Sequence, residues 1–235
     1  MTMHKTTIRW MTIALMTLLL TACASIPSGS TADPRDPFER YNRAMFSFNK
    51  TVDDKVIKPV ATGYVNVVPS LIRTAIGNFF GNIGDVWTAV NNYLQGKPRE
   101  GTSDVARVVL NSTFGILGLM DVATPAGLDQ HDEDFGQTLG VWGVKSGPYL
   151  VLPIFGASTV RDGLARPVDL YADPLNQIDP ARVENSARAL RLVDDRAALL
   201  ESTRMLEDAA LDPYLFVRDA YLQRRESRVR DGKSD

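Results

Sequence analysis

The stretch Pro69–Leu94 reads PSLIRTAIGNFFGNIGDVWTAVNNYL, and its spacing decides the fold. Pro69-Ser70 opens a helical pattern, and Gly96 and Pro98 close it. The apolar positions Leu71, Ile72, Ile76, Phe79, Phe80, Ile83, Val86, Trp87, Val90, Tyr93 and Leu94 nearly encircle the helix axis. A water-soluble surface helix carries a limited apolar stripe, whereas one apolar almost all round is buried in a core or in lipid. Gly77, Gly81 and Gly84 interrupt the pattern. Glycine weakens a solvated helix by about 1 kcal/mol relative to alanine, so it belongs where backbones approach closely or a bend is wanted.

Downstream, Ser103 or Asp104 leads a second helix of this kind, Val105–Met120, with Arg107 and Asn111 as its main polar interruptions. A chain this size has one core in which to hide such helices. Either the two form that core, or part of their apolar surface meets acyl chains. The segment from Asp121 to Gly127 is turn-rich, and His131–Asp134 reads as a polar loop. Phe135–Asp162 mixes glycine, proline and bulky apolar residues without helical spacing. Its run Pro148–Pro153 (PYLVLP) fits a short edge strand or an apolar loop bracketed by Gly147 and Gly156. Asp179-Pro180 is placed to cap a helix bearing Val183, Leu190, Val193, Leu199 and Leu200 that extends to Leu206. Asp212-Pro213 caps another, with Tyr214, Val217 and Tyr221 on one face and Arg218, Arg224 and Arg225 emerging.

Upstream, DPFERYNRAMFSFNKTVDDKVIKP starts the folded region. Asp36 can cap, Pro37 suits the first helical position, and Glu39 has capping-box spacing. Phe38, Tyr41, Met45, Phe48, Val52 and Val56 share a face, Phe46 broadens it, and Lys58-Pro59 ends the helix. The expectation is a mainly α-helical single domain over residues 36–225, followed by a loose polar tail, 226–235.

The N-terminus has a different logic. Lys5 and Arg9 precede the uncharged run Trp10–Leu20, which is too short to cross a bilayer comfortably, and small residues flank Cys23. This is the layout of a secretory signal peptide. Leu20-Thr21-Ala22-Cys23 resembles the bacterial lipobox, which implies cleavage before Cys23 and acylation of that residue; Ala24 in the sorting position implies the outer membrane. Residues 1–22 are then the signal, and 23–35 a lipidated N-terminus with a Ser/Pro/Gly-rich tether. The alternative is an ordinary secretion signal with an incidental cysteine. Cleavage would remove 22 of the 235 residues and leave 213. Taking Lys5 and Arg9 from the 26 basic side chains leaves 24 against 28 acidic ones, so no basic excess points to nucleic acid.

The mature chain has one histidine, His131, and no G-x-S-x-G elbow, P-loop or dinucleotide fingerprint. A lone cysteine cannot form an intramolecular disulfide. His131-Asp132-Glu133-Asp134 contains metal-ligating types, but four adjacent residues do not easily converge on one ion, and a solvated loop explains them. No enzyme and no cofactor is expected beyond acyl lipid on Cys23.

Four segments in order, DPFERYNRAMFSFN, NSTFGILGLMDVA, GQTLGVWGVKSGPYLVLPIFGASTVRD and DPYLFVRDAYLQRR, resemble the VacJ/MlaA family of outer-membrane lipoproteins from about Asp36 to Arg225. The resemblance implies a helical ring seated in the periplasmic leaflet of the Gram-negative outer membrane, with an amphipathic channel. It implies removal of mislocalised phospholipid from the outer leaflet and delivery to a soluble periplasmic carrier that feeds an inner-membrane ABC transporter, with a trimeric porin as partner. Membrane-facing or channel candidates are then Phe38, Tyr41, Met45, Phe46, Phe48, Phe79, Phe80, Trp87, Gly147, Pro148, Tyr149, Pro153, Phe155 and Arg161. Each has a plainer reading: helix packing for the aromatics, turn geometry for the glycines, and pairing with Asp162 for Arg161. The rival class is a structural lipoprotein that braces porins without handling lipid.

Overall fold

The computed structural model describes residues 33–231; the expected signal peptide, Cys23 and most of the expected tether lie outside the described residues. It is a single, mainly α-helical domain. α1 (Glu39–Val52) runs through a wide π turn, Asp53–Ile57, into α2 (Lys58–Val67). The helix therefore does not end at Lys58-Pro59. The Lys58 N–H reaches back five residues to the Asp53 carbonyl, and this widened turn accommodates a proline ring that has no N–H to contribute. Asp36 does not cap α1 with its side chain. Its carboxylate is buried and takes hydrogen bonds from Asn42, Tyr214 and Arg218 instead.

α3 (Ser70–Leu94) and α4 (Pro98–Phe114) form an antiparallel hairpin. α4 begins at Pro98, earlier than Ser103 or Asp104, because proline suits the first turn of a helix. It stops at Phe114 rather than Met120. The Gly115–Met120 segment folds back on itself, with Met120 N–H bonding the Gly115 carbonyl at 2.8 Å and Gly118 N–H the Asn111 carbonyl at 2.9 Å.

The loop 121–134 leads to α5 (Phe135–Val141), then to a hairpin of β1 (Tyr149–Leu152) and β2 (Gly156–Thr159). Tyr149 pairs with Thr159 and Leu152 with Gly156 in antiparallel register. PYLVLP is thus an edge strand, and its outer edge is covered by a helix. Asn42 and Asn49 of α1 bond the β1 backbone as a third strand would. Seven residues of helix advance about 10 Å, close to the span of the strand segment they serve. Tyr149, Val151 and Tyr214 are buried together, with Met45, Phe46, Leu215 and Tyr221 packed around them.

α6 (Val160–Ala172), a 3₁₀ turn (Pro174–Gln177), α7 (Ala181–Ala198), α8 (Leu200–Ala209) and α9 (Pro213–Val229) complete the chain. α7 is entered at Pro180 with no side-chain cap, so Asp179 does not serve there, and the helix breaks at Leu199 before α8. Asp212 does cap α9, accepting from Tyr214 N–H at 3.0 Å and Leu215 N–H at 3.2 Å. The segment 226–231 is not a loose tail: α9 continues to Val229, Arg228 meets Asp132 at 2.7 Å, and Asp231 meets Lys97.

Candidate functional site

The hairpin of α3 and α4 is inverted relative to a water-soluble protein. Asn82, Asp85, Thr88, Asn91 and Asn92 of α3, with Asp104, Arg107 and Asn111 of α4, are buried. Leu71, Val86, Val90, Val105, Val109 and Phe114 are exposed. The buried face of the hairpin is thus mostly polar, with Phe80 and Ala89 the buried apolar residues of α3, and much of the near-encircling apolar pattern lies outside.

Most of these inner groups have partners, as buried polar groups require, although Asn82 donates to Ser112 at 3.0 Å while its Oδ1 accepts nothing among the described residues. Arg107 Nε donates to Asp85 at 3.2 Å, and its Nη1 donates to the Leu128 carbonyl at 2.6 Å. Asn92 donates to Asp104 at 2.7 Å, and His131 Nδ1 lies 2.7 Å from the other oxygen of that carboxylate. Asn111 Oδ1 accepts from Val122 and Ala123 N–H, and Thr138 donates to Asn91. Three of the four residues of the polar loop are therefore bound in, not solvated as expected, while Asp132 stays exposed. His131 ties to α4, Glu133 accepts from Gln95 at 2.9 Å, and Asp134 caps α5. Among the described residues no group of three or more His, Cys, Asp or Glu is arranged to hold a metal.

A cavity of about 420 Å³ opens between this polar face, loop 130–132 and α7, lined by Phe80, Gly81, Asp85, His131, Arg191 and Asp195 among others. Burial pushes the carboxyls of Asp85 and Asp195 above their usual range. Gly77 and Gly81 keep this wall open: a methyl on either would stand 3.3 Å from Asp194 or Gln130.

Outside, the turn after α4 presents Ile116 and Leu117, 62% and 72% exposed, in left-handed conformation at φ 54° and 57°. Branched residues avoid that region, and Gly115 and Gly118 hold the turn in place. A methyl on Gly115 would meet the Met120 carbonyl at 2.1 Å. Together with Phe114 and Met120 the turn forms an exposed apolar tip. Among the described residues no helix is long and apolar enough to cross a membrane.

The candidate residues do not converge on one place. Phe38, Tyr41 and Phe48 point outward from α1, while Met45 and Phe46 pack on the Tyr149 cluster, so the face turned inward is that of Asn42, Met45, Phe46 and Asn49. Phe80 walls the cavity with Phe79 against its edge at 5.5 Å. Trp87 Nε1 donates to Asp169 at 2.9 Å. Pro153 and Phe155 sit exposed in the β-hairpin turn, with Arg166 5.2 Å above the Phe155 ring. Gly147, Pro148 and Arg161 line a second cavity, of about 990 Å³. Arg161 Nε pairs with Asp162 at 2.9 Å, the plainer of its two readings.

Sequence reasoning placed Arg225 at the surface, yet it is buried and forks onto Asp134 at 2.6 Å and Asp162 at 2.9 Å. Tyr221 adds a hydrogen bond to Asp162 at 2.7 Å. Burial alone would raise the Asp162 carboxyl, but Arg225, Tyr221 and Arg161 outweigh it and hold it below the usual carboxylate range. Its position on the helix face of Tyr214 and Tyr221, four residues beyond Tyr221, was the signal available for Arg225.

The family model described as MlaA lipoprotein matches residues 34–228. The intermembrane phospholipid transport system lipoprotein MlaA of Escherichia coli (strain K12) is 37% identical over 225 residues, covering 93% of this chain and 88% of that protein. The protein of the same name from Haemophilus influenzae is 33% identical over 228 residues, covering 95% and 91%. A chain solved in work on the "Structural basis for maintenance of bacterial outer membrane lipid asymmetry" superposes with a TM-score of 0.71 at 35% identity, covering 83% of this chain and 98% of that one. The fold, the order of the four sequence segments and these likenesses agree: the chain belongs to the MlaA lipoprotein family.

Proposed function

We propose that this protein moves phospholipid between a membrane leaflet and the aqueous space beside it, in the intermembrane phospholipid transport for which its relatives are named. The observation that carries this reading is the inverted α3–α4 hairpin, apolar outside and polar within. An apolar exterior is stable against hydrocarbon and unfavourable against water. A polar passage inside such a body lets a charged headgroup stay solvated while its tails stay out of water. The Phe114–Met120 tip supplies side chains worth about 1.5–3 kcal/mol each when fully withdrawn from water.

In this reading the domain is a ring anchored through acylated Cys23 in the periplasmic leaflet of the outer membrane, and the cavity bounded by Phe80, Asp85 and Arg191 belongs to its channel. Lipid enters from the outer leaflet and leaves to a soluble periplasmic carrier, with a trimeric porin as neighbour. No bond is made or broken. Net direction comes from the carrier's affinity and from ATP use at the inner membrane, so the reconstituted protein alone moves lipid passively.

The test is a leaflet assay. Cells lacking the protein accumulate phospholipid in the outer leaflet, and restoring the chain reverses this; no accumulation refutes the reading. Native mass spectrometry separates it from a porin-bracing lipoprotein, which would carry no bound phospholipid.

A further inference from the structure

The larger cavity lies away from the α3–α4 seam, between α9, the 143–148 loop and the first turn of α6. Its lining is of two kinds. Lys145, Ser146 and Arg161 supply cationic and hydroxyl donors, while Val144, Leu222 and Val229 supply apolar surface. Arg161 is 7% exposed. Its Nε is held by Asp162 at 2.9 Å and its Nη1 reaches the Val144 carbonyl only at 3.4 Å, leaving Nη2 with no protein acceptor among the described residues. A buried guanidinium normally uses its whole fork. Lys145 makes no ion pair or hydrogen bond among the described residues. Arg225, which also lines the cavity, is fully committed to Asp134 and Asp162, and Asp219 and Glu226 lie against Arg35, Arg218 and Arg230. The uncommitted charge facing the cavity is therefore positive.

Gly140 lets Arg161 and Val229 pack directly against the α5 backbone. A methyl there would stand 2.6 Å from Arg161 Nη1 and 2.8 Å from Val229, closer than real contacts allow. A residue without a side chain is thus required where these cationic and apolar parts of the lining meet.

The geometry points to a binding subsite for a phosphate-bearing amphiphile: Arg161, Lys145 and the Ser146 hydroxyl take the phosphate, and Leu222 and Val229 carry the adjoining apolar part. A planar fork suits a phosphate, and a neighbouring ammonium adds charge without demanding a fixed orientation. The proposal rests on the transport reading only in naming a lipid as the source of the phosphate; an inorganic phosphate would meet the same donors.

The experiment is calorimetric titration of the full lipoprotein in neutral detergent with three probes: dibutyryl-phosphatidylglycerol, phosphate-free dibutyrylglycerol, and inorganic phosphate. The lipid phosphate is expected to bind, and Lys145→Ala and Arg161→Gln each to weaken it about tenfold or more. Unchanged far-UV circular dichroism guards against misfolding, and Lys145, being exposed, gives a variant that keeps the buried network. Inorganic phosphate binding more weakly, with the same sensitivity to both variants, assigns the site to lipid; binding as tightly overturns the lipid source. Equal binding of dibutyrylglycerol, or no effect of either substitution, overturns the subsite. Binding that depends on Lys145 and Arg161 in a protein that fails the leaflet assay leaves the subsite standing and the transport reading fallen.

Discussion

Asn42 completes the hydrogen bonding of Val151 from a different kind of element: its Oδ1 accepts the Val151 N–H at 2.8 Å, while its Nδ2 donates to the Tyr149 carbonyl at 3.1 Å. Asn49 repeats this two turns on, donating to the Leu152 carbonyl at 2.9 Å and accepting from Ile154 N–H at 2.7 Å. A two-stranded hairpin is marginal by itself and its free edge invites pairing with other chains. Replacing Asn42 by Leu orphans a buried strand N–H and C=O, at about 1–3 kcal/mol each. A loss of roughly 2–5 kcal/mol in urea unfolding is expected, with a smaller loss for Asn49→Leu at its half-exposed site. A change below 0.5 kcal/mol for Asn42→Leu would show that the edge is satisfied in another way.

Asp162 gives the fold an acid-sensitive joint between α6 and α9. Its folded pKa lies below the ordinary value of 3.8, so its contribution is complete above that pH and is lost as pH falls through the folded value. Unfolding midpoints measured from pH 6 to pH 2 should drop most steeply below pH 4. Arg225→Gln removes the dominant partner and should flatten that part of the profile while lowering stability at neutral pH by about 3–5 kcal/mol, the usual result of breaking a buried pair. Parallel profiles for the two proteins would exclude Asp162 as the titrating group.

The Ile116–Leu117 turn should separate stability from membrane binding. Asparagine tolerates the left-handed region better than a branched side chain, so Ile116→Asn relieves about 1 kcal/mol of strain and raises the melting temperature. It also removes an apolar side chain from the exposed tip, so flotation with phospholipid vesicles should weaken, further so when combined with Leu117→Asn. Opposite signs are the expected outcome. A tip that serves only folding would leave flotation unchanged.

His131→Ala is expected to spare lipid transport. It removes one partner of the buried Asp104 carboxylate, which keeps its bond from Asn92, so a cost of about 1–3 kcal/mol in stability is expected without a change in the leaflet assay. Abolished transport in a folded variant that still carries bound phospholipid would bring back catalytic chemistry, since His131 also lines the cavity assigned to the channel. Cys23→Ala, by contrast, should misplace the protein in cell fractionation, which tests the anchor and leaves the transport step unaddressed.

Much of this protein is legible along the chain. Helical periodicity in 71–94, its stop at Gly96 and Pro98, the cap at Asp212-Pro213, and the apolar run before Cys23 are local, and local signals suffice to give a mainly α-helical chain in the family order. What only the tertiary structure decided was which side of each helix faces inward. Periodicity marks a face but carries no sign. On α3 and α4 the buried set is Asn82, Asp85, Asn92, Arg107 and Asn111, because each finds its partner on a different element: Asp85 on Arg107, Asn92 on Asp104, Asn111 on the backbone of the following loop. The same holds for Asn42 against β1 and for Arg225 against Asp134 and Asp162, 91 and 63 residues away. A polar side chain is buried only when a distant group satisfies it, and that distant group is visible only once the chain has folded.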